Sequence, residues 1–274
     1  EDPVSPLPGP LLRTILTVNA FDTESLKWAY PGGAGAASLP VAAESPSGFL
    51  VVISATRTDG ILVFGGTGAA PQQVLHYASA SNAWTLRRPM PEAKFDMTAT
   101  LLHTGRILLA GGGTVPGGLL GMSLASAVVY DPATDEYDEV GAMNEPRQRH
   151  YSALLADGRV LLAGGSYSRN SFQYLTSAEI YDPATSTFTE TGAMSGPRIQ
   201  AAVTTLADGR VLFVGDGPPE SWPAFGYAEI YDSSTGAFLP TAPTLEDRHR
   251  PVAITMMDGR VLIAGGRSNT PGTS

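Results

Sequence analysis

The stretch YSALLADGRVLLAGG at residues 151–165 carries the signal that decides the fold. An apolar-rich run is followed by Asp157-Gly158, by a second apolar run and by two glycines. Asp-Gly between two runs of strand-forming residues indicates a hairpin, because both residues tolerate the positive φ of a tight primed turn. The paired glycines lack Cβ, which permits an unusual backbone or a close neighbouring strand. The stretch therefore predicts two short antiparallel strands that end beside other backbone.

This pattern recurs along the whole chain. The second apolar run and its glycines occur as ILVFGG (61–66), ILLAGG (107–112), VLLAGG (160–165), VLFVGD (211–216) and VLIAGG (261–266). Pairs of aromatic residues seven positions apart alternate with these runs: Phe21/Trp28, Tyr77/Trp84, Tyr130/Tyr137, Tyr181/Phe188 and Tyr231/Phe238. Five ordered copies of both landmarks predict five structural units of about fifty residues each.

Each unit has the pattern of four short strands. A third strand such as SAEIYD (177–182) follows a loop of variable length after the glycines. Its exit, Asp182-Pro183-Ala184-Thr185, has good turn chemistry, because Pro fixes φ at the second turn position and Asp can cap the backbone ahead of it. A fourth strand such as TSTFTE (185–190) carries the second aromatic residue. Strand-rich units of this period predict an all-β chain of propeller blades.

The double glycine, the aromatic pair and the Pro-Met or Pro-Arg segments between units resemble kelch repeats, from about residue 15 to residue 266. The resemblance implies a β-propeller of four-stranded blades around a central channel, with the first strand of each blade innermost. The chain begins with strands of the third and fourth type around Phe21 and Trp28, and it ends with strands of the first and second type around Ile254 and Leu262. We therefore expect five blades, with the ring closed by pairing the N- and C-terminal strands in one blade.

The expected domain organisation follows from these landmarks. Residues 1–14 are expected to be an extended lead-in, because Glu1–Pro10 contains four prolines and no periodicity. Residues 15–268 are expected to form a single β-propeller domain, and residues 269–274 a tail. The repeats are placed near 15–66, 67–112, 113–165, 166–216 and 217–266. A fragment of a larger propeller is the alternative, since it would show the same pattern.

Composition excludes several classes of function. With 17 basic and 26 acidic residues the net charge is −9, so an electrostatic grip on nucleic acid or anionic lipid is not expected. No apolar run approaches the roughly 18 residues of a membrane span, so no membrane insertion is expected. The chain has no Cys, which removes thiolate metal sites and thiol nucleophiles. An extracellular or periplasmic location fits this lack of Cys.

Basic residues recur 17 positions before the first glycine of four units, as Lys94, Arg147, Arg198 and Arg248. Arg149 and Arg250 lie 15 positions before it. If the blades superimpose, these side chains form an arc around one rim, where guanidinium groups suit carboxylate, sulfate or sugar hydroxyls. A structural role is the alternative, because an arginine of the kelch pattern can bind neighbouring loop carbonyls or an acidic residue such as Asp96, Glu145 or Asp247.

The loops after the glycines differ strongly between units, as binding loops do. They contain Tyr167, Arg169, Tyr174 and Trp222, and aromatic faces beside charges suit sugar stacking or peptide capture. In the alternative interpretation, these aromatic residues fold back over the blade. Candidate acid–base residues for catalysis are His150 and Glu220, and the four histidines show no metal-ligand spacing.

These observations predict a non-catalytic binding module whose basic, aromatic-rimmed channel mouth holds a protein, peptide or glycan. The first alternative is an enzyme acting on a small sugar or acidic metabolite at the same mouth. The second is a scaffold fragment of a larger kelch protein. The copper-radical oxidases, which use similar blades, need a Tyr–Cys crosslink, so their chemistry is excluded by the absence of Cys. No cofactor is expected.

Overall fold

The computed structural model describes residues 20–22, 27–29, 51–53, 60–65, 71–78, 81, 83–114, 121–169, 172–198, 201–215, 228–242, 244–245, 248 and 250–266. Its regular elements in these ranges are all β-strands. No helix among the described residues is long and apolar enough to cross a membrane. Two compact units divide the chain, Glu1–Phe95 and Asp96–Ser274.

The unit Glu1–Phe95 contains two antiparallel sheets. The first pairs β1 (Ala20–Asp22) with β2 (Lys27–Ala29) and places Phe21 opposite Trp28. The second has the order β3-β4-β5-β6, with the strands β3 (Val51–Ile53), β4 (Gly60–Phe64), β5 (Val74–Ala78) and β6 (Ala83–Arg87). Tyr77 lies opposite Trp84 in this sheet, with 5.3 Å between the ring centroids.

The described residues of the unit Asp96–Ser274 form three four-stranded antiparallel sheets and two two-stranded ones. The first has the order β7-β8-β9-β10, with the strands β7 (Thr98–Leu101), β8 (Ile107–Ala110), β9 (Ala127–Asp131) and β10 (Glu136–Glu139). The second begins with β11 (Tyr151–Leu154) and β12 (Val160–Ala163). The hairpin of β13 (Ser166–Ser168) and β14 (Phe172–Tyr174) follows, before the sheet ends with β15 (Ala178–Asp182) and β16 (Thr187–Thr191).

The third sheet has the order β17-β18-β19-β20, with the strands β17 (Ala202–Thr205), β18 (Val211–Val214), β19 (Ala228–Asp232) and β20 (Ala237–Pro240). The last two strands, β21 (Val252–Thr255) and β22 (Val261–Ala264), form a two-stranded sheet. This repetition confirms the all-β prediction, and its four-stranded antiparallel sheets are consistent with a β-propeller. The count of five blades and the closure of the ring stay predictions.

The four predicted aromatic pairs whose side chains the structure describes are in contact. Tyr130 and Tyr137, Tyr181 and Phe188, and Tyr231 and Phe238 lie directly opposite each other on the third and fourth strands, each with 4.9 Å between the ring centroids. Tilted aromatic pairs at this distance stabilise a sheet beyond the area that they bury. The seven-residue spacing therefore reports one cross-strand pair around one turn.

The second strand of a sheet is apolar throughout because it is buried on both faces. Val160 and Leu162 of β12 belong to a cluster with Leu108 of the preceding sheet. Leu161 and Ala163 point the other way and belong to a cluster with residues of the following sheet. Since successive strand residues point to opposite faces, a strand covered on both sides needs a continuous apolar run. The first strands also contact one another in succession, β7 with β11, β11 with β17 and β17 with β21.

The hairpin at Asp157-Gly158 differs from the predicted primed turn. Only Gly158 has a positive φ, of 88°. The Gly158 N–H donates to the Leu155 carbonyl, and the Leu155 N–H donates to the Arg159 carbonyl. This is a three-residue loop in which a glycine follows an ordinary turn. The primed-turn prediction is wrong because Asp157 keeps a negative φ and uses its carboxylate to accept from the Arg159 N–H, at 3.0 Å.

The strand register defines two ends of the sheet β11-β12-β15-β16. Tyr151, Ala163, Ala178 and Thr191 are paired in succession at one end. We call this the loop end, because the long loop after the glycines starts there. Leu154, Val160 and Tyr181 are paired at the other end, which we call the turn end, because the Asp157-Gly158 hairpin lies there.

The two-stranded sheet at the C-terminus has an uncovered apolar face. Leu262 of β22 is 53% exposed, whereas Leu161 at the same position of VLLAGG is 0% exposed. Val252 and Ile254 of β21 are also exposed. The burial of this strand pair alternates along the sequence, because one face packs on the preceding sheet and the other faces none of the described residues.

Substitution of Gly164 by Ala tests how tightly the glycines pack. A Cβ at Gly164 (φ 64°) would lie 2.7 Å from the Met194 Cε and 3.0 Å from the Arg198 carbonyl oxygen. Gly265 has a similar φ of 67°, with nothing within 4 Å of a Cβ there. We expect Gly265→Ala to lower the free energy of unfolding by about 1 kcal/mol, from backbone strain alone. Gly164→Ala should cost roughly 1–3 kcal/mol more, from overpacking. Equal losses in urea unfolding would contradict close packing at Gly164.

Candidate functional site

Arg147 is buried, and both terminal nitrogens of its guanidinium group are hydrogen-bonded within the protein. Its Nη1 donates to the Gly164 and Ser177 carbonyl oxygens, both at 3.1 Å. Its Nη2 donates to the Ser177 Oγ at 3.2 Å and to the Glu179 Oε1 at 3.0 Å. The side chain is 0% exposed. A buried charge is tolerated only when it is paired and hydrogen-bonded, and these contacts meet both conditions.

Glu179 completes this arrangement. Its side chain is buried, and its Oε1 accepts a second hydrogen bond from the Glu145 N–H at 3.0 Å. Its Oε2 accepts from the N–H and the Nδ2 of Asn144, at 2.7 and 2.9 Å. One carboxylate on β15 therefore holds both Arg147 and the segment that precedes it in the chain.

The following sheet repeats these contacts. Arg198 is buried, and its Nη1 donates to the Gly215 carbonyl at 2.7 Å, while its Nη2 donates to the Glu229 Oε1 at 3.2 Å. Glu229 also accepts from the Ser195 N–H at 3.2 Å. Arg248 is half-buried, and its Nη1 donates to the Gly265 carbonyl at 2.8 Å. The spacing of 17 residues therefore reports a bond from a guanidinium to the carbonyl of the first glycine.

The backbone of these arginines joins neighbouring sheets. The Arg147 carbonyl accepts from the N–H of Gly112, and the Arg198 carbonyl accepts from the N–H of Gly165, at 2.8 and 2.9 Å. We call each such junction a seam: an arginine bound to its own sheet, whose carbonyl accepts from the second glycine of the sheet before. A structural role, rather than contact with a ligand, fits Arg147 and Arg198, because their burial leaves no guanidinium surface for a ligand.

The carboxylate partners of the seam arginines could have been found in the sequence. Glu179 and Glu229 occupy the same place in the repeated AEIYD of the third strands. Of the acidic partners considered, Glu145 has its Oε2 3.7 Å from the Arg147 Nη2 and Asp96 binds Arg149, while Asp247 lies outside the described residues. Val128 stands at the place of these third-strand glutamates in β9, the third strand of the sheet that follows Lys94 in the chain. The sequence signal is therefore a Glu in the third strand of each sheet that is preceded by a seam Arg. The sheet that is preceded by Lys94 has Val128 instead of this Glu.

Lys94 lies in the other unit, Glu1–Phe95, and is buried with its Nζ 3.4 Å from the Glu92 Oε2. Burial lowers the pKa of this ammonium from its ordinary value, and the nearby Glu92 carboxylate opposes that change. Lys94 and the arginines lie in different units, so the predicted arc that joins them stays a prediction.

Arg149 and Arg250 lie at the loop end and share an unusual backbone. Both have positive φ, of 54° and 58°, and so does Asp96, with 56°. The Arg149 N–H donates to the Asp96 carbonyl at 2.9 Å, and its Nε donates to the Asp96 Oδ2 at 3.2 Å. Residues other than glycine pay for this conformation, so the surrounding contacts must impose it. Asp96 is buried, while the side chain of Arg149 is partly exposed and Arg250 is exposed.

Of the two candidate acid–base residues, the structure describes only His150. His150 is buried, and its Nε2 lies 2.8 Å from the Thr98 Oγ1 at the start of the neighbouring first strand. Glu220 and Trp222 lie outside the described residues. Within the described part of the chain, no group of three His, Cys, Asp or Glu side chains is placed to hold a metal ion.

The hairpin of β13 and β14 is fixed to two other segments at the loop end. Ser166 and Gln148 exchange backbone hydrogen bonds of 2.9 and 3.0 Å. The Ser123 N–H donates to the Ser168 carbonyl at 2.8 Å, and the Ser168 N–H donates to the Ser123 Oγ at 2.9 Å. Segments about 20 and 45 residues away in sequence therefore hold the hairpin.

Several of the predicted ligand residues are on this hairpin. Tyr167 and Tyr174 are half-buried, and Arg169 is exposed. Phe172, which was not among the predicted site residues, packs edge-on against Tyr174, with 4.9 Å between the ring centroids. We define the loop-end surface as Arg149, Tyr167, Arg169, Phe172, Gln173 and Tyr174.

The turn end has a different electrostatic character. Arg159, Arg210 and Arg260 each donate from their Nε to the aspartate two residues earlier, at 2.8 to 2.9 Å. These hydrogen bonds hold the pKa of Asp157, Asp208 and Asp258 below the ordinary value. The pairs are solvent-exposed, so each contributes little to stability. These arginines follow the hairpin turns between first and second strands, so they lie at the opposite end of the strands from Arg149.

The comparisons with known proteins agree with the repeat pattern. No protein-family model matches the chain. An F-box/kelch-repeat protein of Arabidopsis thaliana is 26% identical over 157 residues, which are 55% of this chain and 40% of the relative. The chain thus spans about two fifths of the length of this curated relative. The likeness supports the kelch-type interpretation of the repeats.

Removal of the seam arginine should destabilise the protein strongly. We expect Arg147→Ala to lower the free energy of unfolding by roughly 3–5 kcal/mol, because it leaves the buried Glu179 carboxylate without its cation. Arg159→Ala is the matched control in the same sheet, and it should cost about 0–1 kcal/mol, because its ion pair is exposed. Urea unfolding of both variants measures the difference. A loss for Arg147→Ala no larger than the loss for the control would show that the buried network contributes little.

Proposed function

We propose that the chain is a non-catalytic binding module that holds a peptide segment of a partner protein on the loop-end surface. The supporting observation is that hydrogen bonds join three segments of the chain there: the β13–β14 hairpin and the segments that contain Ser123 and Gln148. This surface carries aromatic and cationic side chains, which are enriched where proteins bind each other. Because the hairpin is already held in place, binding would cost little ordering of the chain.

The likeness to a kelch-repeat protein also supports a module for protein interaction. The fold alone does not decide function, so the weight rests on the surface itself. Arg149, Arg169 and the three aromatic residues of the hairpin would contact the ligand. Arg147, Arg198 and Arg248 would act indirectly, by holding the loops through the glycine carbonyls.

The enzymatic alternative gains no support from the described residues. An acid or base must reach a bound substrate within hydrogen-bond distance, and His150 is buried against Thr98. A glycan ligand would use the aromatic rings of the hairpin, and a test with immobilised glycans separates it from a peptide. A pure scaffold would bind neither.

We further propose that the five sequence repeats form the blades of a closed ring. Phe21 and Trp28 of β1 and β2 are paired in the register of the outer strands of the other sheets. This hairpin would complete the sheet of β21 and β22, which has two strands. Leu262 stands at the position of Leu161, which packs on the sheet that follows its own. In a closed ring, the sheet β3–β6 would cover the face of Val252, Ile254 and Leu262 in the same way. Burial of this face removes apolar surface from water, which stabilises the closed form.

The binding proposal is tested with displayed peptides and a glycan array. We expect a library of random 12-residue peptides to yield ligands for the purified chain. Tyr167→Ala combined with Arg169→Ala should weaken their binding about tenfold or more, since both contacts are lost. Arg159→Ala combined with Arg210→Ala, at the turn end, is the matched control and should leave the affinity unchanged. Binding of glycans alone, or binding sensitive only to the turn-end variant, would contradict the proposal.

The closure proposal is tested with a disulfide. The register of the complete sheets, in which Leu161 pairs with Ile180 and Leu212 with Ile230, would place Leu262 opposite Ala20. Since the chain has no Cys, Ala20→Cys with Leu262→Cys creates one possible bridge. We expect it to form within one molecule and to raise the melting temperature, because it constrains the unfolded chain. Ala20→Cys with Val261→Cys is the control, because its side chains would point to opposite faces. Equal oxidation of both pairs, or only intermolecular bridges, would refute the closure.

A further inference from the structure

The backbone of the β13–β14 hairpin has a defined direction of hydrogen bonding. Ser166 and Ser168 direct their N–H and C=O groups towards Gln148 and Ser123, on the side of β13 away from β14. Because successive residues of a strand alternate in this respect, Tyr167 directs its backbone groups towards β14, where Gln173 is its partner. Gln173 therefore uses its backbone groups inside the hairpin.

The outer edge of β14 follows from this alternation. Phe172 and Tyr174 flank Gln173, so their N–H and C=O groups point away from β13. The strand order ends at β14, and none of the described residues hydrogen-bonds this edge through its backbone. The next residue, Leu175, turns inward again and donates its N–H to the Gly165 carbonyl at 2.9 Å. The edge thus offers two donors and two acceptors in the spacing of a β-ladder.

The side chains around this edge limit what can bind there. Phe172 and Tyr174 stack edge-on upon one face of the hairpin, while the exposed Gln173 lies on the other. Arg169 follows β13 directly and is exposed. A ligand strand along β14 would have an aromatic pair beside one of its faces and a guanidinium near one of its ends.

We propose that the loop-end surface binds its partner by strand addition: an extended acidic peptide segment pairs with the outer edge of β14, and a carboxylate of that segment binds Arg169. This inference rests on the proposed function and adds the mode of recognition and the chemical class of the partner. Backbone pairing supplies affinity without regard to sequence, and alternate side chains supply specificity. Arg169 adds a charge-assisted contact that a neutral or basic segment would not make.

A peptide is the occupant that this geometry favours over a glycan. The four edge groups are backbone amide donors and acceptors at strand spacing, and an extended peptide backbone presents the complementary groups at the same spacing. A sugar would stack on the rings of Phe172 and Tyr174, and it would make no use of a period of two residues. The alternation along the ligand therefore distinguishes the two.

The test is a scan of N-methylated ligands. Peptides selected from the random 12-residue library are synthesised with one backbone N-methyl group at each position in turn. Strand addition predicts that methylation at every second position weakens binding about tenfold, because it removes a donor and blocks the approach of the strands. The intervening positions, whose N–H groups point to solvent, should change the affinity less than about twofold. An even effect along the peptide overturns strand addition.

A charge exchange tests the acidic partner. We expect selected peptides to be enriched in Asp and Glu, and Arg169→Glu to weaken their binding about tenfold. Changing the matching peptide carboxylate to Lys should restore binding to this variant alone. Arg159→Glu, at the turn end of the sheet β11-β12-β15-β16, is the matched control and should leave binding unchanged. Peptides without acidic enrichment, or no rescue by Lys, overturn the role of Arg169.

The outcomes separate this inference from the proposed function. If peptides bind at the loop-end surface with an even N-methyl profile, strand addition fails and the binding module stands. If no displayed peptide binds, or the binding ignores the loop-end variants, both fail.

Discussion

A guanidinium removed from water must find several partners at once, and this requirement organises the unit Asp96–Ser274. Arg147 meets it with two backbone carbonyls, one hydroxyl and the Glu179 carboxylate. To satisfy one charge, the chain must bring together the start of a sheet, the glycine that ends its second strand and the beginning of its third strand. The geometry of the whole loop end follows from that convergence. Hydrophobic packing between the sheets stabilises the arrangement, but it would not by itself specify where each loop begins.

The same buried network separates stability from recognition. The acidic groups nearest the seams are used internally, Glu179 and Glu229 by arginines and Asp96 by Arg149. The loops above them are consequently fixed in position without using the side chains of the hairpin. The seams therefore do not use the side chains of Arg169, Phe172 and Tyr174. A rigid base with variable loops is the usual way in which one scaffold supports different ligands.

Periodicity made most of the fold predictable. The double glycines and aromatic pairs located the strands because each marks a contact between neighbours in sequence, and local chemistry fixes such contacts. The turn at Asp157-Gly158 was predicted with the wrong geometry, since a two-residue and a three-residue loop share the same dipeptide. Arg147 and Arg198 were considered for ligand contact because the sequence does not show that they are buried. Their burial results from the packing of the folded sheets. The hairpin of β13 and β14 was treated as a loop, since bonds from Ser123 and Gln148 hold it and its own short strands give little signal.

The seams also bear on how such a chain can grow. Each arginine binds the first glycine carbonyl of its own sheet through its side chain, and its own carbonyl accepts from the second glycine of the sheet before. A tandem duplication of one fifty-residue segment would therefore bring its own donor for the copy that follows and its own acceptor for the copy that precedes. No polar group would be orphaned at the splice. Gain or loss of whole repeats therefore keeps the hydrogen bonds of the seams. A partial duplication would leave an arginine carbonyl or a glycine N–H without its counterpart.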